Sequence, residues 1–99
     1  MRRHVHSEQA MVAQCEVWAG GVVPWHLHPN EQISVLLSGR TRFGFGSAEA
    51  LDVIEADAGD TVVIPDELPH QMTGLEDNWV LDMFAPPRQD WIAGSGAQA

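Results

Sequence analysis

An all-β barrel or sandwich is predicted by three observations. Apolar residues recur with period 2 nearly everywhere, the alternating runs are short, and clusters of Gly, Pro, Asn and Asp separate them. Met11, Ala13, Cys15, Val17 and Ala19 alternate with Val12, Gln14, Glu16 and Trp18, and Gly20-Gly21 ends that run. After Pro29-Asn30, Ile33, Val35 and Leu37 alternate with Ser34, Leu36 and Ser38 as far as Gly39. Thr41, Phe43 and Phe45 make a third run, closed by Gly46-Ser47. Leu51–Val53, Val62–Ile64 and Trp79–Phe84 follow, with Ala58-Gly59-Asp60 and Glu76-Asp77-Asn78 as turn signals between them. No segment carries a sustained 3.6-residue stripe, and the one helical candidate is a short turn around Arg88 to Ala93.

The chain of 99 residues suits one domain, and 44% hydrophobic residues support a packed core. Residues 1–9 read as an N-terminal segment, 10–92 as the domain, and 93–99, rich in Gly and Ser, as a flexible tail. Fourteen acids against five bases give a net charge of -9. That balance opposes binding to nucleic acid or to an anionic membrane surface, both of which recruit Lys and Arg. No stretch reaches the length of a membrane span. Arg2-Arg3 has no apolar run behind it, and Cys15 is the one cysteine, so a cytoplasmic location is expected. A domain this small buries a modest share of its surface. A homodimer is expected, with Trp18, Trp25 and Leu27 as candidates for the covered face.

The most informative residues are His26 and His28 in Val22-Val23-Pro24-Trp25-His26-Leu27-His28-Pro29. On a strand, residues two apart face the same way, so both imidazoles can aim at one point. Neutral imidazole is the commonest protein metal ligand, and the flanking prolines restrict the backbone. A third histidine, His70, follows Pro69. Gln32 offers an amide oxygen; Glu31 is the alternative oxygen donor, turned to the other face unless the nearby turn breaks the alternation. His4 and His6 share the same spacing but have no partner motif, and a polar terminal segment explains them. Cys15 sits with Ala13 and Val17 as a small core residue. Arg40, Arg42 and the acids Glu49, Asp52, Glu55, Asp57 and Asp60 read as a solvated outer face, with Arg42 a minor candidate for a pocket rim.

These residues fall into a known pattern. The chain resembles the cupins, small jelly-roll β-barrels that hold one metal ion. Their first motif spaces Gly, His-x-His, Glu and Gly as Gly20, His26, His28, Gln32 and Gly39 are spaced here. The second spaces Gly, Pro-x-Gly, His and Asn as Gly59, Pro65, Glu67, His70 and Gly74. Three positions depart from the pattern: Gln32 stands for glutamate, Glu67 for a turn glycine and Gly74 for asparagine. The resemblance covers roughly residues 10 to 92. It implies a single-domain jelly-roll barrel with His26, His28, Gln32 and His70 as metal ligands. Three imidazoles and one amide oxygen leave open coordination positions, the mark of a catalytic or ligand-binding centre, and suit one divalent ion among Ni, Fe, Mn, Co, Cu and Zn.

The run Asp82-Met83-Phe84-Ala85-Pro86-Pro87-Arg88 resembles more closely the pectin-degradation cupins, which convert an unsaturated monouronate into its linear keto form. That resemblance implies a small carboxylate-bearing sugar as substrate. Asp82 would be the proton-moving group, Phe84 would line the substrate pocket, and Arg88 would hold the substrate carboxylate and take part in catalysis. The alternatives are a metal-dependent dioxygenase and a small-ligand-binding cupin without turnover.

Overall fold

The computed structural model describes residues 2–47 and 49–93. The expected tail at 94–99 lies outside the described residues. Among the described residues nine strands precede one short helix: β1 (Arg2–His6), β2 (Met11–Val17), β3 (Val22–His26), β4 (Glu31–Ser38), β5 (Arg40–Gly46), β6 (Leu51–Asp57), β7 (Thr61–Ile64), β8 (His70–Gly74), β9 (Asn78–Ala85) and α1 (Gln89–Ala93). The strands pair antiparallel in two sheets, ordered β1-β2-β9-β4-β7 and β3-β8-β5-β6.

Alternation decides what fills the space between the sheets. From the five-stranded sheet, β2 turns Met11 and Ala13 inward, β4 turns Gln32, Ser34 and Leu36, and β9 turns Asn78, Val80, Asp82 and Phe84. From the other sheet, Thr41 and Phe43 of β5 and His70 and Met72 of β8 are buried. Leu36, Phe43, Ala56, Val62, Ile64, Met72 and Val80 make the main apolar cluster. A smaller one, Met11, Ala13 and Phe84, receives Trp91 and Ile92 of α1. Between them three inward positions are polar. Ser34 lies opposite Asp82 on β9, with Gln32 two residues along the same face of β4. Polar groups taken out of water at this depth are costly unless they bond to each other, so this band marks where the barrel gives up core for chemistry.

Three local features differ from the sequence expectation. Arg2–His6 forms an edge strand on β2, with Arg2 opposite Cys15. An edge strand keeps one side wet and tolerates a polar sequence. β8 was hidden because its inward residues are His70, Met72 and Gly74, a weak apolar signal. His28 lies beyond the end of β3, whose register slips between Val23 and His26. The His-x-His pair therefore straddles a strand end rather than lying on one regular strand.

Both second-motif departures have a local reason. Glu67 adopts the left-handed conformation (φ 62°) that a glycine would take without strain, and its N–H donates to the His28 carbonyl at 2.9 Å. Gly74 sits against the Trp18 carbonyl, which a Cβ would approach to 2.4 Å. Glu67→Gly is therefore expected to raise stability by about 0.5–1 kcal/mol, the strain released less the entropy cost of glycine. Gly74→Ala is expected to lower it by about 1–3 kcal/mol through the forced backbone shift. Thermal or urea unfolding of the two variants checks both signs.

Candidate metal centre

The three histidines of the two motifs meet between the sheets. His26 ends β3 opposite His70 at the start of β8, and His28 arrives from the following loop. Their ring centroids are 4.2 Å (His26–His70), 5.0 Å (His28–His70) and 5.6 Å (His26–His28) apart. One ring nitrogen from each lies within 4.8 Å of the others. Among the described residues this is the one group of three or more His, Cys, Asp or Glu side chains placed to hold a metal ion.

Each ring is oriented by its own backbone neighbourhood. Nδ1 of His26 is 2.8 Å from the Pro24 carbonyl, Nδ1 of His28 is 2.9 Å from that of Asn30, and Nδ1 of His70 is 2.8 Å from that of Leu68. A carbonyl oxygen only accepts, so each Nδ1 carries the proton and donates it. In a neutral imidazole the other nitrogen, Nε2, then presents a lone pair. Nε2 of His70 is buried without a hydrogen-bond partner. Burial pushes the His70 imidazole down to about 4; the Leu68 hydrogen bond opposes the shift, and the neighbouring His26, His28 and Arg88 add to it. Burial lowers His28 as well, followed by the nearby Arg88 charge. These two rings are held neutral at ordinary pH, as metal ligation requires.

Gln32 adds an oxygen. Its Oε1 lies 3.1 Å from Nε2 of His28, while its Nε2 donates to Ser34 Oγ at 2.9 Å and Asp82 Oδ1 at 3.2 Å. The Ser34 hydroxyl itself donates to Asp82 Oδ1 at 2.5 Å, so Gln32 must present N–H to that side and oxygen to the histidine. Two acceptors thus face each other across 3.1 Å, an arrangement that a shared cation relieves. An orphaned Nε2 on His70 and this opposed pair make the donor set a good fit for a divalent ion with imidazole and oxygen ligands. A glutamate at position 32 would offer the oxygen but not the N–H, and its charge would face Asp82. Glu31 is exposed and turned away.

Asp82 is buried beside this cluster. Besides Ser34 and Gln32, the Cys15 thiol donates to its Oδ2 at 3.6 Å. Burial raises the Asp82 carboxyl above the usual carboxylate range, although the three donors partly oppose the shift. Burial, then the Asp82 charge and hydrogen bond, push the Cys15 thiol up to about 12, so it stays protonated and is no nucleophile. Phe84 is fully buried and meets the His28 ring edge-on at 5.6 Å and Trp91 at 5.1 Å. Arg88 is buried too. Its Nη2 and Nε grip Asp90 at 2.6 and 3.2 Å, and its Cζ lies 4.4 Å from the centre of the Trp91 ring. A cavity of about 550 Å³ joins these groups, lined by His26, Gln32, His70, Asp82, Phe84 and Arg88 among others.

Of the residues proposed from the sequence, His26, Gln32, His70, Asp82, Phe84 and Arg88 line this cavity, and His28 joins the imidazole cluster at its side. Sequence reading passed over three that matter, Ser34, Asn30 and Arg2, and Trp91, expected only to pack the C-terminal segment against the barrel, also reaches the site. Ser34 looked like an outward residue in an alternating strand. Asn30 looked like a turn signal, yet it is buried, its carbonyl holds His28, and its side chain donates to the Pro86 carbonyl at 2.6 Å, tying the histidine loop to the Arg88 segment. Trp91 and Arg2 also line the cavity. Arg40 and Arg42 lie outside it, paired with Glu55 and, for Arg40, Asp57 on the exposed face of the other sheet.

The apo protein is expected to lose stability as pH falls from about 6.5 towards 4. The unfolded chain, with ordinary imidazoles, takes up the proton that folded His70 refuses, a difference worth about 3 kcal/mol at His70. Urea midpoints across that range check it, and His70→Phe should flatten the slope. Calorimetric titration with Zn²⁺ is expected to give one site, with affinity lowered at least ~100-fold in His26→Ala or His70→Ala.

Comparison with known proteins agrees with this architecture. No curated protein sequence matches the chain. KdgF from Halomonas sp. superposes with a TM-score of 0.81 and 26% identity, over 90% of this chain and 80% of that one. An RmlC-like cupin from Desulfovibrio desulfuricans gives 0.76 and 33% identity, over 89% and 83%. Oxalate decarboxylase from Bacillus subtilis gives 0.79 at 17% identity, over 99% of this chain and a third (33%) of that one, a likeness of fold alone. A cupin-domain family model matches residues 13–84, which spans both histidine motifs and all but the last residue of β9. The jelly roll expected from the motifs is the one observed, and the chain belongs to the cupin domain family.

Proposed function

We propose that this protein is a metal-dependent enzyme that linearises a small unsaturated uronate. The observation that carries the reading is the pairing, in one cavity, of a three-imidazole cluster with a buried acid and a buried arginine. The structural likeness to KdgF, which belongs with the pectin-degradation cupins acting on unsaturated uronates, supports it.

His26, His28 and His70, with Gln32, would hold one divalent ion drawn from Ni, Fe, Mn, Co, Cu or Zn. When bound, such an ion supplies Lewis acidity to a hydroxyl, ring oxygen or carbonyl. The chain's own residues do the rest. Linearisation moves one proton from the anomeric hydroxyl to a ring carbon while the bond between the anomeric carbon and the ring oxygen breaks, with no net gain or loss of atoms. One carboxyl that accepts a proton and returns it suffices, and Asp82 has the burial and the raised pKa for that exchange. Ser34 and Gln32 fix its Oδ1. Arg88 retains N–H groups beyond those bonded to Asp90 and would hold the substrate carboxylate. Phe84 would close the cavity floor and exclude water. The protein would act as a homodimer; Trp18, Trp25 and Leu27 are 58%, 40% and 52% exposed and available to a second copy. Sedimentation as a monomer at micromolar concentration contradicts that part.

The test is a continuous absorbance assay of unsaturated galacturonate or mannuronate with metal-loaded protein. Asp82→Asn is expected to lower kcat by about 10²–10⁴-fold and to abolish the acidic limb of the pH–rate profile, which burial of the carboxyl moves above the ordinary Asp range. Arg88→Ala is expected mainly to raise KM. Turnover indifferent to chelation or to both substitutions would sink the reading. Oxygen consumption in place of uronate turnover would assign the centre to oxygenase chemistry instead.

A further inference from the structure

We propose that Asn30 is a positioning residue that couples metal occupancy at His28 to the placement of the Arg88 segment. The proposal deepens the reading of the cavity and rests on its metal centre.

The place of Asn30 follows from where the ladder between β4 and β9 stops. Glu31 pairs with Ala85 at that end, so the next position brings Asn30 beside Pro86. Proline carries no backbone N–H, so the main-chain ladder cannot continue there in full. The Asn30 side chain extends it instead: its Nδ2 donates to the Pro86 carbonyl at 2.6 Å. The main-chain carbonyl of Asn30 meanwhile accepts from Nδ1 of His28 at 2.9 Å. An asparagine that merely serves a turn can stay in water. This one is 4% exposed. One buried residue thus holds a metal-ligating ring with its main chain and, with its side chain, the carbonyl two residues before Arg88.

Both ends of this link are themselves fixed. A cation drawing on Nε2 of His28 would lock the ring and make its Nδ1–H a stronger donor, which tightens the hold on the Asn30 carbonyl. On the far side the Arg88 guanidinium is gripped by Asp90 and lies against Trp91. The Arg88 carbonyl accepts from the Ile92 N–H at 3.2 Å, so order imposed at Pro86 passes through Arg88 into α1. Phe84 offers a second route, since its ring lies 5.6 Å from that of His28 and 5.3 Å from Cζ of Arg88. Side-chain packing tolerates small displacements that would weaken a directional hydrogen bond, so the amide is the stiffer link. The coupling is reciprocal: a segment ordered by metal binding strengthens metal binding by the same factor. The loaded protein then presents Arg88 in one place, and metal binding precedes capture of an acidic ligand.

Hydrogen exchange read by NMR on the full chain, with and without Zn²⁺, tests the link without turnover. In the wild type Zn²⁺ is expected to slow exchange of the Ile92 N–H and of the Asn30 side-chain amide at least ~5-fold. In Asn30→Ala the Ile92 effect should vanish, and Zn²⁺ affinity by calorimetry should fall at least ~5-fold. Asn30→Asp, isosteric and unable to donate, should also lose the Ile92 effect, and it replaces the alanine variant if that fails to fold. Asn78→Ala is the control. Asn78 is equally buried and donates to the Glu76 and Arg40 carbonyls at the other end of β9. Its loss should lower the urea midpoint yet leave the Zn²⁺ affinity and the Ile92 response intact. An Ile92 response that persists in Asn30→Ala, or that appears in the wild type with none at the Asn30 amide, overturns the proposal and assigns the route to Phe84. A response lost equally in Asn78→Ala overturns it as a general effect of lost stability. Zn²⁺ binding with no change at Ile92 overturns it and leaves the metal centre standing. Absence of Zn²⁺ binding by the wild type removes the metal centre and the proposal together.

Discussion

Three main-chain carbonyls, those of Pro24, Asn30 and Leu68, determine what this barrel can do. Each holds the Nδ1 proton of a histidine two residues away or two residues back. With the tautomer fixed, three Nε2 lone pairs converge on one point between the sheets. No side chain is needed as a second partner, so the orientation depends on local chain path alone. That path depends in turn on Pro24, Pro29 and Pro69, on the left-handed Glu67 that ties its loop to His28, and on Asn30, which also holds the Pro86 carbonyl. The convergence costs the fold apolar volume and leaves buried lone pairs opposed. A donor set of this kind is compensated by a cation, not by a further hydrogen bond.

The polar band on the facing sheet is organised by one amide. Gln32 presents its oxygen to His28 and its nitrogen to Ser34 and Asp82. It couples the imidazole cluster to the buried acid while keeping formal charge off the position between them. Asp82 is consequently stabilised by three donors yet remains above the usual carboxylate range, because burial is the larger effect. In the same cavity Arg88 is neutralised in part by Asp90 and lies against the aromatic rings of Phe84 and Trp91. The site brings a cation-seeking imidazole cluster and a buried arginine to one cavity, a combination suited to a molecule that carries both neutral oxygens and a carboxylate.

Much of this was legible in the sequence. Period-2 alternation located most of the strands, and His26, His28 and His70 declared themselves by spacing. Gln32 was distinguishable from Glu31 by strand parity, and the structure buries the first and exposes the second. What stayed hidden depends on contacts between distant segments. Ser34 and Asp82 face each other only because β4 pairs with β9 in one register. Arg2 reaches the cavity only because an unremarkable polar segment adds an edge strand. β8 was obscured because its inward residues serve the site and a close backbone approach instead of the core. Function, in other words, erased the apolar pattern at the places where it mattered most.

The central claim is that Nε2 of all three histidines is an unprotonated lone pair aimed at a common cation. Two-bond ¹H–¹⁵N correlation spectra of the imidazoles of the metal-free protein at pH 7.5, followed through a Zn²⁺ titration, test it most directly. The expected result is an Nδ1–H tautomer for His26, His28 and His70, with all three Nε2 resonances shifting together and saturating at one equivalent. An Nε2–H tautomer at any of the three, or Nε2 resonances that ignore the metal, would contradict it.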